Sequence, residues 1–413
     1  MHSNIPEQLT FGSYGHTLHH CQVMSPDNSW VVYDTRNEDT EIGITTRIER
    51  VNLVSKSIEI VYRVDVFNQY GPGVGAVTYA PNDEIVLFIH GLKNASKDDP
   101  YAMDRRSGVG VRTSNPNVPI HFDARQIEEP FVKGSLSGGT HSHCWHNMGK
   151  LISYTYNDFL LTKNLLPNER VVGIMFPEKV TIDLENDENF SGSHYSVIVT
   201  DIKEKAIHGS DEIEKAFDEC WVGSTNQVAF QGWVRTLEGH LKTEIFVITL
   251  PENLELLKVS EEFKSNTSIF KTPKAVNQKR VSYTLKGVSK FRHWLRSSPD
   301  GKYIYFIMED EANIRNIYRI SLNNKQIQQV TFHEKNIDSP FNISNNGLYL
   351  VYIMDKSLVL FDLETMTSRS LIVDNKELNG IPNFDKNDQF IIYNQYVNEN
   401  LTSKFLQIFK IKI

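Results

Sequence analysis

A polar turn, an alternating strand and a closing aromatic residue recur along this chain. The clearest copy is SSPDGKYIYF, Ser297 to Phe306. Ser-Pro-Asp-Gly reads as a turn, and the run behind it alternates as a strand with one buried face does. With Ser298 as position zero, Phe306 stands at plus eight. The same frame fits SPDNSWVVY (Ser25 to Tyr33), APNDEIVLF (Ala80 to Phe88), HNMGKLISY (His146 to Tyr154), SNNGLYLVY (Ser344 to Tyr352) and DKNDQFIIY (Asp385 to Tyr393). A degenerate seventh copy, VGSTNQVAF (Val222 to Phe230), keeps the polar turn and the closing VAF.

Further strand-like runs follow the copies, such as IERVNL and SIEIVYRV within Ile48 to Val64. That gives four short strands per unit. One four-stranded unit cannot bury both its faces, whereas units stacked radially can. The pattern therefore predicts an all-β fold, a seven-bladed β-propeller that takes up residues 1–413 as one domain. The spacing of the turns assigns insertions near 90–119, 157–210 and 251–279. EQLTF (Glu7 to Phe11) resembles QQVTF (Gln328 to Phe332), the outer strand of another unit. The C-terminal KFLQIFKIKI reads as a third strand with no fourth behind it. Residues 7–11 are expected to supply that fourth strand, which removes an open sheet edge. Two segments read differently. DEIEKAFDECW (Asp211 to Trp221) looks like a short amphipathic helix. GPGVGA (Gly71 to Ala76) mimics a dinucleotide fingerprint, but a strand-like run follows it where a helix is required.

Composition narrows the partners. The chain has 413 residues, with 43 Lys and Arg against 51 Asp and Glu, for a net charge of -8. No long basic run breaks that balance, so nucleic acid and anionic membrane are excluded as expected partners. The three cysteines, Cys21, Cys144 and Cys220, are odd in number and widely spaced. That argues against a disulfide framework and a paired-cysteine zinc site. There is no signal-like N-terminus and no apolar run of membrane-spanning length, so the expected location is the cytoplasm.

The candidate chemistry sits just upstream of the turns. Position minus five holds His20, His141 and His293, and minus three holds Gln22 and His143. Position minus six adds His19 and Arg292. In a ring of blades this register gathers imidazoles from different blades at one mouth of the channel. His141 and His143 are two apart on an extended segment, so both are expected to leave the same face. With His20 and His293 they could form a set for a divalent metal such as Zn, Mn, Fe or Ni. Equally, histidines before a turn can lock a loop through backbone hydrogen bonds. His146 takes a turn position and is expected in solvent, and Cys144 is expected as a small buried hydrophobe. Arg105 and Arg125 lie in or beside an insertion, where a guanidinium could grip a carboxylate. Together with His20 they are the candidates for a catalytic role.

Several of these stretches, GGTHSHCW…GKLISYTYND, HFDAR, FRHWLRSSPDGKYIYFIMED and TRIERVNLVSKSIEIVY, together resemble the YidR-type propellers. These are a family of unknown function related to TolB-like propellers, and the resemblance runs over nearly the whole chain. More distantly, the chain is similar to oligogalacturonate lyases, seven-bladed propellers whose manganese site is made largely of histidines. That likeness implies His141 and His143 as ligands, with His293 or His20 as a further one. The lyase pattern places a glutamine three residues before the histidine pair, where this chain has Gly138. The histidine register and these resemblances together set the expectation of a small anionic or carbohydrate ligand bound at a histidine-lined mouth. They also leave open a metal-dependent lyase acting on uronate sugars and a platform for protein partners.

Overall fold

The structure, a computed structural model, describes residues 5–258, 272–400 and 402–413. The repeat frame becomes a ring of seven blades. Six are four-stranded antiparallel sheets, and the seventh has three strands. In that one, blade 1, the innermost place is taken by residues 17–24. These pair with the sheet at the bridges Thr17–Asp34 and Met24–Val31 instead of along a full ladder.

The plus-eight residue explains why the frame is strict. Tyr33, Phe88, Tyr154, Phe230, Phe306, Tyr352 and Tyr393 all have no exposed surface. Each lies on the second strand of its blade, from Trp30–Asp34 in blade 1 to Phe390–Asn398 in blade 7. Rings of this size fill the gap between twisted sheets and dominate its burial. The turn residue at position zero sets the strand's start. Ser298 Oγ lies 2.6 Å from Asp300 and accepts the Tyr303 N–H at 3.0 Å. Ser25 and Ser344 repeat that arrangement in their own blades.

Neighbouring blades share their cores. Val32 and Ile48 of blade 1 pack with Val77, Val86 and Phe88 of blade 2. Leu9, Tyr33 and Val51 pack with Ile392 and Ile408 of blade 7. The latter contact closes the ring. Glu7–Gln8 is the outer strand of blade 7 and pairs antiparallel with Lys404–Lys412, as the sequence predicts.

The stretch read as a helix at 211–221 is instead a strand. Ala216–Trp221 is the innermost strand of blade 4 and pairs with Gln227–Arg235. Its charged start suggested a helix, but ladder pairing in a closed ring overrides local propensity. Part of what was read as insertion at 157–210 is blade 3 itself, namely Val171–Val180 and Gly192–Ile198, joined to the short helix Phe159–Lys163. Of the stretch near 251–279, residues 259–271 lie outside the described residues. No described helix is long and apolar enough to cross a membrane.

A candidate ligand cavity at the channel mouth

The inner strands carry a repeated irregularity that decides where the histidines point. Their pairing shifts between Gly75 and Thr78, His141 and Cys144, Phe217 and Cys220, and Asn379 and Asn383. Within these bulges Ala76, Ser142, Asp218 and Gly380 adopt φ values of 56°, 56°, 51° and 74°. An extra residue in a strand reverses the alternation of its faces. His141 and His143 therefore do not leave one face, contrary to the expectation from an unbroken strand. His141 lines the axial cavity. His143 turns toward blade 2, with Nε2 3.0 Å from Thr140 Oγ1. There it packs so close to Gly108 that a Cβ on that glycine would stand 2.9 Å from the ring.

The other candidates separate too. His293 Nδ1 sits 2.7 Å from the Phe291 carbonyl, and its Nε2 accepts the Ile307 N–H at 3.0 Å. Both nitrogens are engaged by blade 5, and neither keeps a lone pair for a ligand. His20 stacks on Trp294 at 4.1 Å and 9°. Arg105 and Arg125 are not at the mouth. They clasp Glu188 at 2.6 and 3.1 Å, and Arg125 also donates to the carbonyls of Asp104 and Gly138. This clasp fastens the outer loops of blades 2 and 3 to the start of the Gly138–Trp145 strand. His146 is buried, not solvated. Its Nε2 lies 3.2 Å from the Thr225 carbonyl, and its ring meets Trp221 edge-on.

What the ring does gather is a cavity of about 630 Å³ at this mouth. Its walls hold buried polar atoms with no partner among the described residues. These are both nitrogens of His141, Nδ1 of His19, Nε of Arg106, Oη of Tyr101 and Nε1 of Trp294. Buried polar groups are nearly always hydrogen-bonded, so a cluster of orphans on the residues around one cavity marks a place for a ligand. Four guanidiniums share the wall: Arg36, Arg106, Arg170 and Arg292. Arg36 is committed to Asp34 and Asp39. Arg106 lies over the Tyr101 ring at 4.7 Å, and Arg292 lies over Trp294 at 4.7 Å with only a 3.5 Å contact to Asp39. Burial pulls the Arg106 and Arg170 guanidiniums below their usual range. The same burial, with Arg170 and Arg106 nearby, holds His141 well below the usual imidazole range, so it is neutral. The repeat frame had marked Arg292. Arg36, Tyr101 and Arg170 sit on connections outside that frame, where periodicity carries no signal.

Comparison with known proteins places this architecture. Residues 73–189 match the family model described as "Protein of unknown function (DUF3748)". The chain is 31% identical to the uncharacterized protein YidR of Escherichia coli (strain K12) over 363 residues, covering 85% of each chain. The chain belongs to the YidR family. In fold, this YidR family member is similar to an oligogalacturonate lyase in complex with manganese, at a TM-score of 0.55 and 10% identity, over 98% of this chain and 92% of that one. It is also similar to the oligogalacturonate lyase of Vibrio parahaemolyticus, at a TM-score of 0.56 and 9% identity, over 98% and 93% of the two chains.

The lyase neighbour's manganese prompts a test of fit. Manganese favours oxygen and imidazole donors with negative charge nearby. The surroundings of His141 are instead cationic, with Arg106, Arg170 and Arg292 as its charged neighbours. A hard divalent ion does not suit the place beside His141. His19, His20 and Cys21 place donor atoms within 4.8 Å of one another, a softer set. Even there, His20 Nδ1 faces the Arg296 guanidinium at 3.3 Å. A guanidinium only donates, so the His20 proton resides on Nε2, the nitrogen a metal would need.

Proposed function

We propose that this YidR family protein binds a small anionic ligand rich in hydroxyl groups, such as a sugar acid, in the mouth cavity. The observation that carries this reading is the set of unpartnered buried polar atoms on residues that line the same cavity as Arg106, Arg170 and Arg292. Guanidiniums match a carboxylate in bidentate fashion, and Tyr101, Trp294 and neutral His141 can meet hydroxyls.

Calorimetric titration with galacturonate and short oligogalacturonates, with galactose as the neutral control, tests the reading. The acids should bind and galactose should not. Arg170→Ala and His141→Ala should each weaken binding by about 10- to 100-fold, the effect of losing a hydrogen bond to a charged group. Equal binding of acid and neutral sugar, or of neither, overturns it.

The fold neighbours favour one refinement, lyase chemistry on a uronate. In such an elimination a base removes the proton beside the carboxylate while the guanidiniums hold the negative charge that develops. We assign that proton to His141, which lines the cavity, is neutral and has both nitrogens without a partner among the described residues. Appearance of an unsaturated, ultraviolet-absorbing product from oligogalacturonate, abolished in His141→Ala, would support the refinement. Tight binding with no such product leaves a binding protein.

A further inference from the structure

All three cysteines, so far apart in sequence, line a second cavity of about 260 Å³ at the opposite, turn-bearing end of the channel. Cys21 comes from the inner segment of blade 1 and Cys144 from the inner strand of blade 3. Their Sγ atoms are 3.4 Å apart. His20 Nε2 lies 3.9 Å from Cys21 Sγ and 3.7 Å from Cys144 Sγ. Cys21 is partly exposed and Cys144 is buried.

The surroundings choose between the uses of such a cluster. Arg296 fixes the His20 ring from behind. Its Nη2 donates to the His20 carbonyl at 2.8 Å and stands 3.3 Å from Nδ1. The proton on Nε2 is therefore aimed at the two sulfurs, where it favours a thiolate. A metal on Nε2 would drive that proton onto Nδ1, against a guanidinium that cannot accept it. The deeper burial of Cys144 supports the same assignment. The thiol–thiol contact, with His20 adding to it, holds Cys21 well below its ordinary range against the opposing effect of burial, while the same contact and burial push Cys144 up. Burial pushes Cys220 up to about 12. A reachable thiolate beside a protonated, buried partner is the arrangement of an attacking and a resolving cysteine.

The backbone permits closure. A disulfide needs its sulfurs about 2.05 Å apart, so they must approach by little more than an ångström. The blade 1 segment that carries Cys21 is held by isolated bridges instead of a full ladder. It is kept in line with blade 3 by Gln22, whose amide bonds the Trp145 backbone at 2.7 and 2.9 Å.

We propose that Cys21 and Cys144 are a redox pair that reduces a small hydroperoxide and closes as a disulfide across the channel. The Cys21 thiolate attacks the terminal oxygen, and the O–O bond breaks. The alkoxide leaves and takes up the proton that Cys21 had released, which leaves a sulfenic acid. Cys144 Sγ then displaces that hydroxyl, which departs as water with the Cys144 proton. Two thiols are oxidised, and the hydroperoxide is reduced to an alcohol and water.

The test treats the reduced full-length protein with hydrogen peroxide at low molar excess and maps peptides under non-reducing conditions. The expected result is a reductant-sensitive Cys21–Cys144 link and a single remaining thiol, on Cys220. Cys21 should react at least about tenfold faster than Cys220. Cys144→Ser should stop at a Cys21 sulfenic acid that dimedone traps, and Cys220→Ser should still form the link. Cys144→Ala serves if the serine variant fails to fold. Equal reactivity of the three cysteines, a link through Cys220, or a tightly held zinc ion that shields Cys21 and Cys144 would each overturn the proposal.

Discussion

Acidification from pH 7 to 5 should unfold this protein cooperatively. Burial depresses His16, His90, His121, His194 and His293 to about 4, and His20 and His143 to about 3. His141 is lowered in the same direction. In the unfolded chain each titrates near its ordinary value of about 6.5. The stability these neutral rings contribute is fully present above that value and is lost as pH falls below it, because the unfolded chain takes up protons that the fold refuses. Four buried carboxyls act in the opposite sense. Burial raises Asp123 and Asp218 to about 6 and Glu219 to about 8, and raises Asp158 in the same direction. They take up protons first in the fold and so stabilise it as pH falls. Eight imidazoles outnumber four carboxyls, which leaves a net uptake of roughly four protons on unfolding. At about 1.4 kcal/mol per proton per pH unit that is roughly 6 kcal/mol per unit. A domain's whole stability is about 5–15 kcal/mol. Tryptophan fluorescence and circular dichroism between pH 7 and 4 should show a midpoint between about pH 5 and 6. A native signal at pH 4 would contradict this account.

Glu188→Ala should be the most damaging single change outside the strands. Its carboxylate is the shared partner of Arg105 and Arg125, and Asn94 joins it at 2.8 Å. Arg125 has no exposed surface, so removing the carboxylate leaves a buried guanidinium without its counter-charge. Breaking a buried pair in this way costs about 3–5 kcal/mol, and the partial exposure of Glu188 places the expectation near 3. Urea denaturation should show a lower midpoint with an unchanged slope. Glu188→Gln should recover part of the loss. Binding of sugar acids by the folded fraction should be unaffected, because the clasp lies away from the mouth.

The contrast between these two features shows what the sequence could convey. The plus-eight aromatics recur seven times and the serine turns three times; both are local, and each copy reinforces the reading of the others. The closing strand at Glu7 was legible because its text matched an outer strand elsewhere. The site was harder. A bulge is one added residue, and the parity it reverses at Ser142 cannot be seen in the pattern of side chains. Arg105 and Arg125 looked like ligand-binding groups because nothing local announces Glu188, which lies 63 residues beyond Arg125 in the chain. The Ala216–Trp221 strand was misread as a helix, although its place before the Val222 turn matched the frame. With it went the observation that Cys220 shares a cavity with Cys21 and Cys144.

The seam that closes the ring has a mechanical corollary. Glu7 pairs with Lys410 and Gln8 with Phe409, and the ladder continues through the Leu9 N–H to the Ile408 carbonyl at 2.8 Å. Because the two strands run antiparallel, the chain enters and leaves at the same end of that ladder. Tension applied between the ends loads the bonds one after another, like a zip, instead of shearing them together. The propeller would then give way at low force along this line, with blade 7 peeling off while the neighbouring sheets remain stacked.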